Sequence, residues 1–501
     1  MGEEHQQLEQ VDVCIVGSGF SGIGMAIRLK ELGIANFVLL EKASEVGGTW
    51  RDNSYPGAAC DVQSHLYSFS FAPNPNWSHS YSGQAEIQDY LISVTNRYGV
   101  REHCRFNTEV SHASWDEATQ QWLVITPSGP LQARVLVWAT GPLSQSKMPA
   151  IEGLERFQGL SVHTAGWGTG QDIAGKRVAV IGTGASAIQL IPAIAEEVKQ
   201  LTVFQRTPGW VVPRDDKEIP AWKKSLYRAL PLALKARRFR VYAFQELLAP
   251  GLLGRKSRFF ALLGKLAQKQ LHEQVTDEDL RAKLLPPFPI GCKRVLVSNS
   301  YYPSLQRDNV ELIDAAAQSL TAKGVIDARG QEHEVDVVIF ATGFEAANPA
   351  FAKDLVGRGG RLLSERWKTG MEAYLGSSVP EFPNLFFLAG PNTILGHNSV
   401  IYMIEAQLNQ VGGAIQFLFS KDLGSLEVLE KVEQAWSKEL AERFKGTVWT
   451  QGGCTSWYVN DQGKNTTLWP GYTLDFHRRT KHFHPGDYVV SPKAKVELNR
   501  N

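Results

Sequence analysis

Cysteine is scarce in this sequence: only five are spread over 501 residues. They are Cys14, Cys60, Cys104, Cys292 and Cys454, and no two of them form a C-x2-C pair. An odd, scattered set predicts neither a disulfide framework nor a zinc site, and we expect no bound metal. The same scarcity favours a reducing compartment, so we expect a cytoplasmic protein.

The sequence also lacks a long hydrophobic run. No stretch approaches the roughly 18 apolar residues of a membrane-spanning helix. The start, MGEEHQQLEQ, is polar and acidic, unlike a signal peptide, and residue 6 is Gln where a myristoylation signal has Ser or Thr. The formal net charge is only +1, which gives no reason to expect nucleic acid as a partner. We therefore expect no stable membrane insertion and a small molecule as the partner.

The chain does contain a repeated pattern of strand, glycine turn, helix and strand. The first copy runs from VDVCIVG through GSGFSG to FVLLEK, and the second from RVAVIG through GTGASA to LTVFQR. Each copy is typical of the opening of a Rossmann-type domain. Two later strands, at 133–141 and 335–343, both end in Ala-Thr-Gly, where small residues let the backbone approach a cofactor. The sequence therefore predicts an α/β fold with two Rossmann-like dinucleotide-binding domains.

The first glycine turn predicts a dinucleotide site. Gly17, Gly19 and Gly22 follow a predicted strand in the order that serves a tight turn, approach of a pyrophosphate, and helix–strand packing. The pyrophosphate is expected at the helix N-terminus, where free N–H groups favour anions. Glu41 follows Gly17 by 24 residues and ends the next strand. An acidic residue there is expected to bind the ribose hydroxyls.

The second turn predicts a site for NADPH. Its assigned residues are Gly182, Thr183, Gly184, Ser186 and Ala187. Arg206 follows Gly182 by the same 24 residues that separate Gly17 from Glu41. A guanidinium can bind a 2′-phosphate in a bidentate manner, whereas a carboxylate would repel it, so this position favours NADPH over NADH. The alternative is a surface arginine at the end of a strand.

Two further regions carry information. The loop Gly47–Asp61 is rich in glycine yet holds Trp50 and Tyr55, and loops with buried aromatics usually line sites; Cys60 within it is expected to be a packed bystander. Between 217 and 283 there are 15 Lys and Arg against 6 Asp and Glu. We interpret this segment as an inserted helical subdomain with a solvated basic face, while contact with an anionic membrane is the alternative.

Two motifs carry a family resemblance. The stretch FQGLSVHTAGW and the earlier loop supply its fixed positions, which are Phe157, Gly159, His163, Trp167, Gly47, Gly48, Trp50, Tyr55, Pro56, Gly57 and Asp61. On these residues the chain resembles the type I Baeyer–Villiger monooxygenases, relatives of the flavin-containing monooxygenases. One position departs from the family pattern, since Gly168 follows Trp167 where the family has Pro or Asp.

The resemblance implies a domain plan and two cofactors, FAD and NADPH. An FAD domain would comprise 1–145 and 341–501, the latter with the C-terminal tail. An NADP domain would comprise 146–215 and 291–340, with the helical insertion at 216–290 between its two parts. The implied reaction is oxygenation of a ketone to an ester or lactone with NADPH and O2, through a C4a-peroxyflavin.

The resemblance also implies roles for individual residues. Those expected to contact FAD are Ser21, Glu41, Thr49, Trp50, Asp61, Tyr67 and Val110. Those expected to hold the 2′-phosphate are Arg206, Thr207 and Lys293. Arg294 is expected beside the flavin with Asp61 as its carboxylate partner, because a fixed positive charge stabilises an oxygen anion. The alternative for Arg294 is a phosphate contact or a structural ion pair.

Three further positions have expected roles. His163 is expected to organise the junction between domains rather than to act as an acid or base. Trp457 is expected to wall the substrate pocket, and the segment 394–400 is expected near the flavin face.

Two rival functions are open to test, and a third, a dithiol oxidoreductase, fails on the spacing of its cysteines. An N- or S-oxygenating flavin-containing monooxygenase typically has Tyr or Phe where this chain has Trp167. A dithiol oxidoreductase of the glutathione-reductase type needs a closely spaced cysteine pair near its flavin, and Cys14 and Cys60 lie 46 residues apart. A non-catalytic NADPH-binding protein leaves the first dinucleotide turn without a purpose.

Overall fold

The computed structural model describes residues 8–168 and 170–494. The expectation drawn from Gln6, that the start of the chain carries no myristoylation signal, lies outside these residues. The strands are β1 (Glu9–Val16), β2 (Phe37–Leu40), β3 (Cys104–Arg105), β4 (His112–Asp116), β5 (Gln121–Thr126), β6 (Gly129–Trp138), β7 (Leu160–His163), β8 (Arg177–Ile181), β9 (Gln200–Phe204), β10 (Val211–Val212), β11 (Leu296–Val297), β12 (Val310–Ile313), β13 (Ala317–Leu320), β14 (Gly324–Asp327), β15 (Glu332–Glu334), β16 (Val337–Phe340), β17 (Leu355–Val356), β18 (Leu385–Phe387), β19 (Leu423–Val428) and β20 (Tyr488–Pro492). The helices are α1 (Phe20–Glu31), α2 (Thr49–Asp52), α3 (Gln84–Arg97), α4 (Ala185–Ile194), α5 (Ala221–Ala229), α6 (Pro231–Glu246), α7 (Ala249–Leu252), α8 (Arg258–Gln274), α9 (Glu278–Leu284), α10 (Tyr301–Ser304), α11 (Leu363–Arg366), α12 (Val400–Ser420), α13 (Glu430–Phe444), α14 (Val448–Gln451) and α15 (Thr473–Thr480).

The first sheet joins both ends of the chain. Its order is β17-β4-β5-β6-β1-β2-β3, and β18 pairs with β6 off this path. The central strand β1 is almost wholly buried towards its C-terminal end and runs parallel to β2 and β6. The continuous apolar run VCIV at 13–16 suits a strand that is covered on both faces. Because β18 pairs with β6 from 250 residues further along the chain, the C-terminal part completes this sheet.

The second sheet is parallel throughout and has the order β12-β9-β8-β16-β7. Strand β8 enters the second glycine turn, and helix α4 follows it with five buried apolar residues. The two parallel arrangements, each with a glycine turn between strand and helix, confirm the predicted fold class. The predicted domain boundaries stay a prediction.

The basic segment is helical, as expected, and comprises α5 to α9. Strand β10 precedes this segment and β11 follows it, and the two strands pair in parallel. The segment therefore begins and ends at neighbouring points of the fold. Within the described part of the chain, no helix is both long and apolar enough to cross a membrane.

The expectation that the cysteines form no disulfide is wrong for one pair. Cys292 and Cys454 are joined by a disulfide, with their Cα atoms 6.1 Å apart. They are separated by 162 residues, so no local spacing could reveal them. Cys60 is buried and free, in line with its interpretation as a packed bystander.

Candidate active site

The three glycines of the first turn have three different physical requirements. Gly17 has φ +99, and a Cβ there would lie 3.0 Å from the carbonyl oxygen of Ala139. At Gly22 a Cβ would lie 1.9 Å from the Gly17 oxygen, so the turn and α1 pack backbone to backbone. At Gly19 the nearest atom is the Gly48 Cα at 3.8 Å. Gly19 also caps α1 without any side-chain hydrogen bond, so it leaves room and N–H groups for a pyrophosphate.

The second turn repeats this arrangement. Gly182 has φ +112, and a Cβ there would lie 2.6 Å from the Ala341 oxygen. Ala139 and Ala341 are the first residues of the two Ala-Thr-Gly tripeptides, so each tripeptide packs against the first glycine of its turn. Gly184 caps α4 without a side-chain bond, and no atom lies within 4 Å of its Cβ position. Both turns therefore fit a dinucleotide pyrophosphate.

Glu41 lies against the first turn. It is buried, and one of its oxygens accepts from the Ser18 amide at 3.0 Å and the Ser18 hydroxyl at 2.6 Å. The other oxygen accepts from the Ala43 amide at 2.9 Å and lies 3.0 Å from an Arg51 nitrogen. Sequence reasoning missed Arg51. Its positive charge and the two amides compensate the burial of the Glu41 carboxylate at this edge of the turn.

The residues expected at the 2′-phosphate lie together. The Thr183 hydroxyl donates to the Thr207 carbonyl at 3.3 Å, and the Lys293 ammonium donates to the Thr207 hydroxyl at 3.1 Å. Burial lowers the pKa of Lys293, and the nearby charge of Arg206 lowers it further. Arg206 is exposed. Two cations with no acidic partner among their hydrogen bonds suit an incoming phosphate.

The loop 47–61 bridges the two nucleotide units. At its start, Trp50 donates from its indole nitrogen to the Tyr67 hydroxyl at 3.1 Å. At its end, the Tyr55 hydroxyl donates to the Gln189 side chain of α4 at 2.9 Å, and Gln189 donates to the Ala59 carbonyl at 2.9 Å. The loop is thus fixed to α4 by Gln189, and its first residue, Gly47, donates from its amide to the Ser18 carbonyl of the first glycine turn at 3.0 Å. Gln189 was not identified from the sequence, where it looks like any polar residue on an amphipathic helix.

Arg294 and Asp61 meet across 233 residues of sequence. The guanidinium Nε donates to the Asp61 Oδ2 at 2.7 Å, and Nη2 lies 2.6 Å from the same oxygen. The negative charge of Asp61 raises the pKa of Arg294, although burial opposes it. The pair therefore provides a positive charge that stays protonated and is oriented by a carboxylate.

Tyr458 lies beside this pair and was missed by sequence reasoning. Its side chain is buried, its hydroxyl has no hydrogen-bond partner within the described residues, and burial raises its pKa to about 12. Its ring packs in an apolar cluster with Leu468 and Ile394. The neighbouring Trp457 is partly exposed, with its ring centroid 4.6 Å from that of Tyr458. The feature that marks Tyr458 as a candidate site residue is its buried hydroxyl without a hydrogen-bond partner in the described part of the chain. Burial and hydrogen bonding cannot be read from a sequence, so sequence reasoning had no signal for this residue.

The remaining predicted residues are placed as follows. Ser21 is buried in the first turn of α1, Thr49 begins α2, and Val110 packs at the edge of the first sheet. His163 ends β7, accepts from the Ala165 amide at 3.1 Å, and has its pKa lowered by burial. Ser186 and Ala187 lie in the first turn of α4. Ile394 lines an open cavity, together with Pro142, Phe351, Met371 and Thr467.

Comparison with known proteins identifies the family. A Baeyer-Villiger monooxygenase of Streptomyces coelicolor is 45% identical over 99% of this chain and 96% of its own length. One of Pseudomonas aeruginosa is 43% identical over 97% of this chain and 93% of its own length. The chain belongs to the Baeyer–Villiger monooxygenases. The family model described as pyridine nucleotide-disulphide oxidoreductase matches residues 14–230, which contain both glycine turns.

Solved structures agree with this assignment. A cyclohexanone monooxygenase from Rhodococcus sp. Phi1, bound to NADP+, superposes with a TM-score of 0.85 at 29% identity, covering 97% of this chain and 100% of that one. A complex of OTEMO with FAD and NADP has a TM-score of 0.86 at 29% identity, with the same coverage. The predictions of an FAD- and NADPH-dependent monooxygenase and of Baeyer–Villiger oxygenation are therefore confirmed. The individual site residues stay predictions.

Proposed function

We propose that Arg294, oriented by Asp61, is the residue of this Baeyer–Villiger monooxygenase on which conversion of a ketone depends. The observation that carries the proposal is the ion pair itself, with both arginine contacts on a single carboxylate oxygen. Asp61 accepts from Nε and Nη2, and among the described residues no hydrogen bond of 3.5 Å or less engages the third guanidinium nitrogen, Nη1. A preorganised donor of this kind stabilises negative charge that develops on oxygen.

The cofactors divide between the two turns. Gly17, Gly19 and Gly22, with Glu41, would hold FAD, which supplies oxygen activation once NADPH has reduced it. Gly182, Gly184 and Ala187 would hold NADPH, with Arg206 and Lys293 at its 2′-phosphate. The other proposed FAD contacts are Ser21, Thr49, Trp50, Tyr67 and Val110. The 2′-phosphate contacts also include Thr207, and the second turn includes Thr183 and Ser186.

The proposed organic substrate is a ketone, and the cavity beside Ile394 is its proposed entry. Its described walls are largely apolar, which suits a carbonyl compound with a hydrocarbon body. A cytoplasmic location, where both nucleotides are made, is part of the proposal. Because a reducing cytoplasm normally keeps thiols reduced, the Cys292–Cys454 disulfide is the observation against which this location is tested, by counting the free thiols of freshly purified protein.

Arg294→Ala tests the proposal. We expect the variant to retain bound FAD and to be reduced by NADPH at a measurable rate. Ester yield should fall about a hundredfold or more, because one preorganised donor is typically worth that much. NADPH consumption, hydrogen peroxide and ester are measured together in the same reaction.

Arg443→Ala is the matched control. Arg443 also forms a half-buried ion pair, with its Nη1 2.7 Å from an Asp475 oxygen, but it lies on α13. It should keep wild-type ester yield. If Arg294→Ala makes ester at nearly the wild-type rate, the proposed role is wrong. If the wild type oxidises sulfides or amines but no ketone from a broad panel, the site acts as an N- or S-oxygenase instead.

A further inference from the structure

The helical insertion exposes an unusual concentration of large apolar side chains. Ten of them lie between Trp222 and Leu266, including Trp222, Leu232 and Phe239, which are 63%, 70% and 67% exposed. Soluble surfaces carry single exposed apolar residues routinely, but a contiguous patch usually marks an interaction site. The same stretch, 222–266, contains 11 Lys and Arg against one acidic residue, Glu246.

The exposed residues follow helical spacing. On α5, Trp222 and Leu226 are four residues apart and so share one face, and the exposed Leu230 lies between the end of α5 and the start of α6. On α6, Leu232 and Phe239 are seven residues apart and share a face in the same way. The two helices pack against each other. We call these five residues the apolar ridge.

The opposite side of α6 is already fixed to the rest of the molecule. Val241 is buried, and Arg238 donates from one nitrogen to the carbonyls of His65, Leu66 and Ser68 at 2.8–3.2 Å. At the C-terminal end, Glu246 accepts from Asn398 at 2.8 Å. These contacts hold α6 in place from its opposite side. The apolar ridge is therefore left exposed without leaving the helix unpacked.

The charge pattern selects the partner. Lys235 and Arg240 lie close to the ridge on α6 and are exposed. The Lys223 ammonium lies 5.3 Å from the centroid of the Trp222 ring. A second copy of this chain would bring one basic surface against another, which like-charge repulsion opposes. Nucleic acid would meet the positive charge but would leave the aliphatic side chains without a favourable environment. An anionic lipid surface matches both features.

We propose that α5 and α6 dock this protein on the surface of anionic phospholipid membranes. The apolar ridge enters the boundary between headgroups and acyl chains, and the flanking Lys and Arg side chains contact the phosphates. The protein lies on the membrane and does not span it. The strength of such binding is the sum of two contributions, the apolar area buried in the membrane and the electrostatic attraction to anionic lipid.

Vesicle co-sedimentation of the FAD-loaded enzyme tests the proposal. We expect binding to vesicles of phosphatidylcholine with phosphatidylglycerol, little binding to phosphatidylcholine alone, and a steep loss as salt rises. Trp222→Ser combined with Phe239→Ser should weaken binding about tenfold or more. Val490→Ser is the control, because Val490 is an exposed apolar residue on β20. It should bind like the wild type.

Two substitutions that remove positive charge measure the electrostatic contribution to vesicle binding. Lys235→Gln with Arg240→Gln should weaken binding and reduce its salt dependence, whereas Lys199→Gln with Lys323→Gln, at exposed sites outside the insertion, should not. NADPH oxidation by each variant checks that the enzyme is intact.

Five results would overturn the proposal. Four come from binding measurements: no binding to anionic vesicles, equal binding to both vesicle types, unchanged vesicle binding of the ridge variant, and RNA binding that the ridge variant retains. The fifth is a dimer in light scattering that the ridge substitutions convert to monomer, because the ridge would then be a contact between two copies of this chain.

Discussion

At Arg206 the two nucleotide sites differ in the sign of one charge. The equivalent position in the first site is Glu41, which is buried and compensated by Arg51, whereas Arg206 is exposed next to Lys293. Arg206→Ala should raise the KM for NADPH about ten- to hundredfold and leave that for NADH nearly unchanged. Loss of a hydrogen bond to a charged group costs about 1.5–3 kcal/mol, and only NADPH carries the 2′-phosphate. Steady-state kinetics with both cofactors measure this. Equal losses for both would show that Arg206 does not contact the phosphate.

Gly19 and Gly184 allow a matched test of the two turns. Both have ordinary backbone angles, and no protein atom lies within 3.5 Å of either Cβ position, so a side chain there obstructs the cofactor rather than the fold. Gly19→Val should give folded protein with little bound flavin. Gly184→Val should stay yellow but show a raised KM for NADPH. Absorbance at flavin wavelengths measures the flavin content of both variants, and circular dichroism measures their folding. Steady-state kinetics measure the KM of Gly184→Val for NADPH. A Gly19→Val protein with normal flavin content would contradict the assignment of the first turn.

At the scale of elements, the insertion docks through a histidine that resists protonation. Burial lowers the pKa of His65 to about 4, assisted by the charge of Arg237. Its ring also makes an edge contact with Tyr227 of α5, at 5.0 Å between centroids. The pKa of His65 in the folded protein lies below its unfolded value of about 6.5. The neutral, buried His65 therefore costs the folded state no stability at pH values above about 6.5. The folded state loses stability as pH falls from about 6.5 towards 4.

His65→Gln should therefore reduce the loss of thermal stability between pH 7 and pH 5, by on the order of 1–2 kcal/mol. Thermal unfolding followed by flavin fluorescence across this range measures the effect. The exposed His482 provides the control variant, His482→Gln, which should follow the wild type. If His65→Gln loses stability with the same slope as the wild type, the docking of the insertion is not governed by this histidine.

At the scale of the whole molecule, the Cys292–Cys454 disulfide ties the segment that carries Lys293 and Arg294 to the tail that carries Tyr458. A bridge that closes a loop of this length restricts the unfolded chain and typically contributes about 2–5 kcal/mol. Cys454→Ser, or reductant added to the wild type, should lower the Tm of the protein. Because Cys14 and Cys60 are buried, thiols are titrated in denaturant without reductant, and three free cysteines should be found.

The partly buried free thiol Cys104 provides the comparison. Cys104→Ser should leave the response to reductant intact, whereas Cys454→Ser should abolish it. Five titratable thiols in freshly purified protein, with no change of Tm on reduction, would show that the bridge does not form.

Short-range features of this protein could be predicted from its sequence. In each nucleotide unit, 24 residues separate the first glycine of the turn from the charge that ends the next strand, Gly17 from Glu41 and Gly182 from Arg206, and local backbone geometry dictates that spacing. Family motifs added Asp61 and Arg294, although spacing alone could not pair residues 233 apart.

Only the tertiary structure decided the contacts between distant segments. The disulfide, the buried hydroxyl of Tyr458 and the bridge through Gln189 each arise when segments that are distant along the chain pack together. The exposed face of α5 and α6 is of the same kind. Its apolar and basic residues are plain in the sequence, but whether Trp222 and Phe239 lie in a core or on the surface depends on what packs against each helix, and a periodic pattern does not encode that partner.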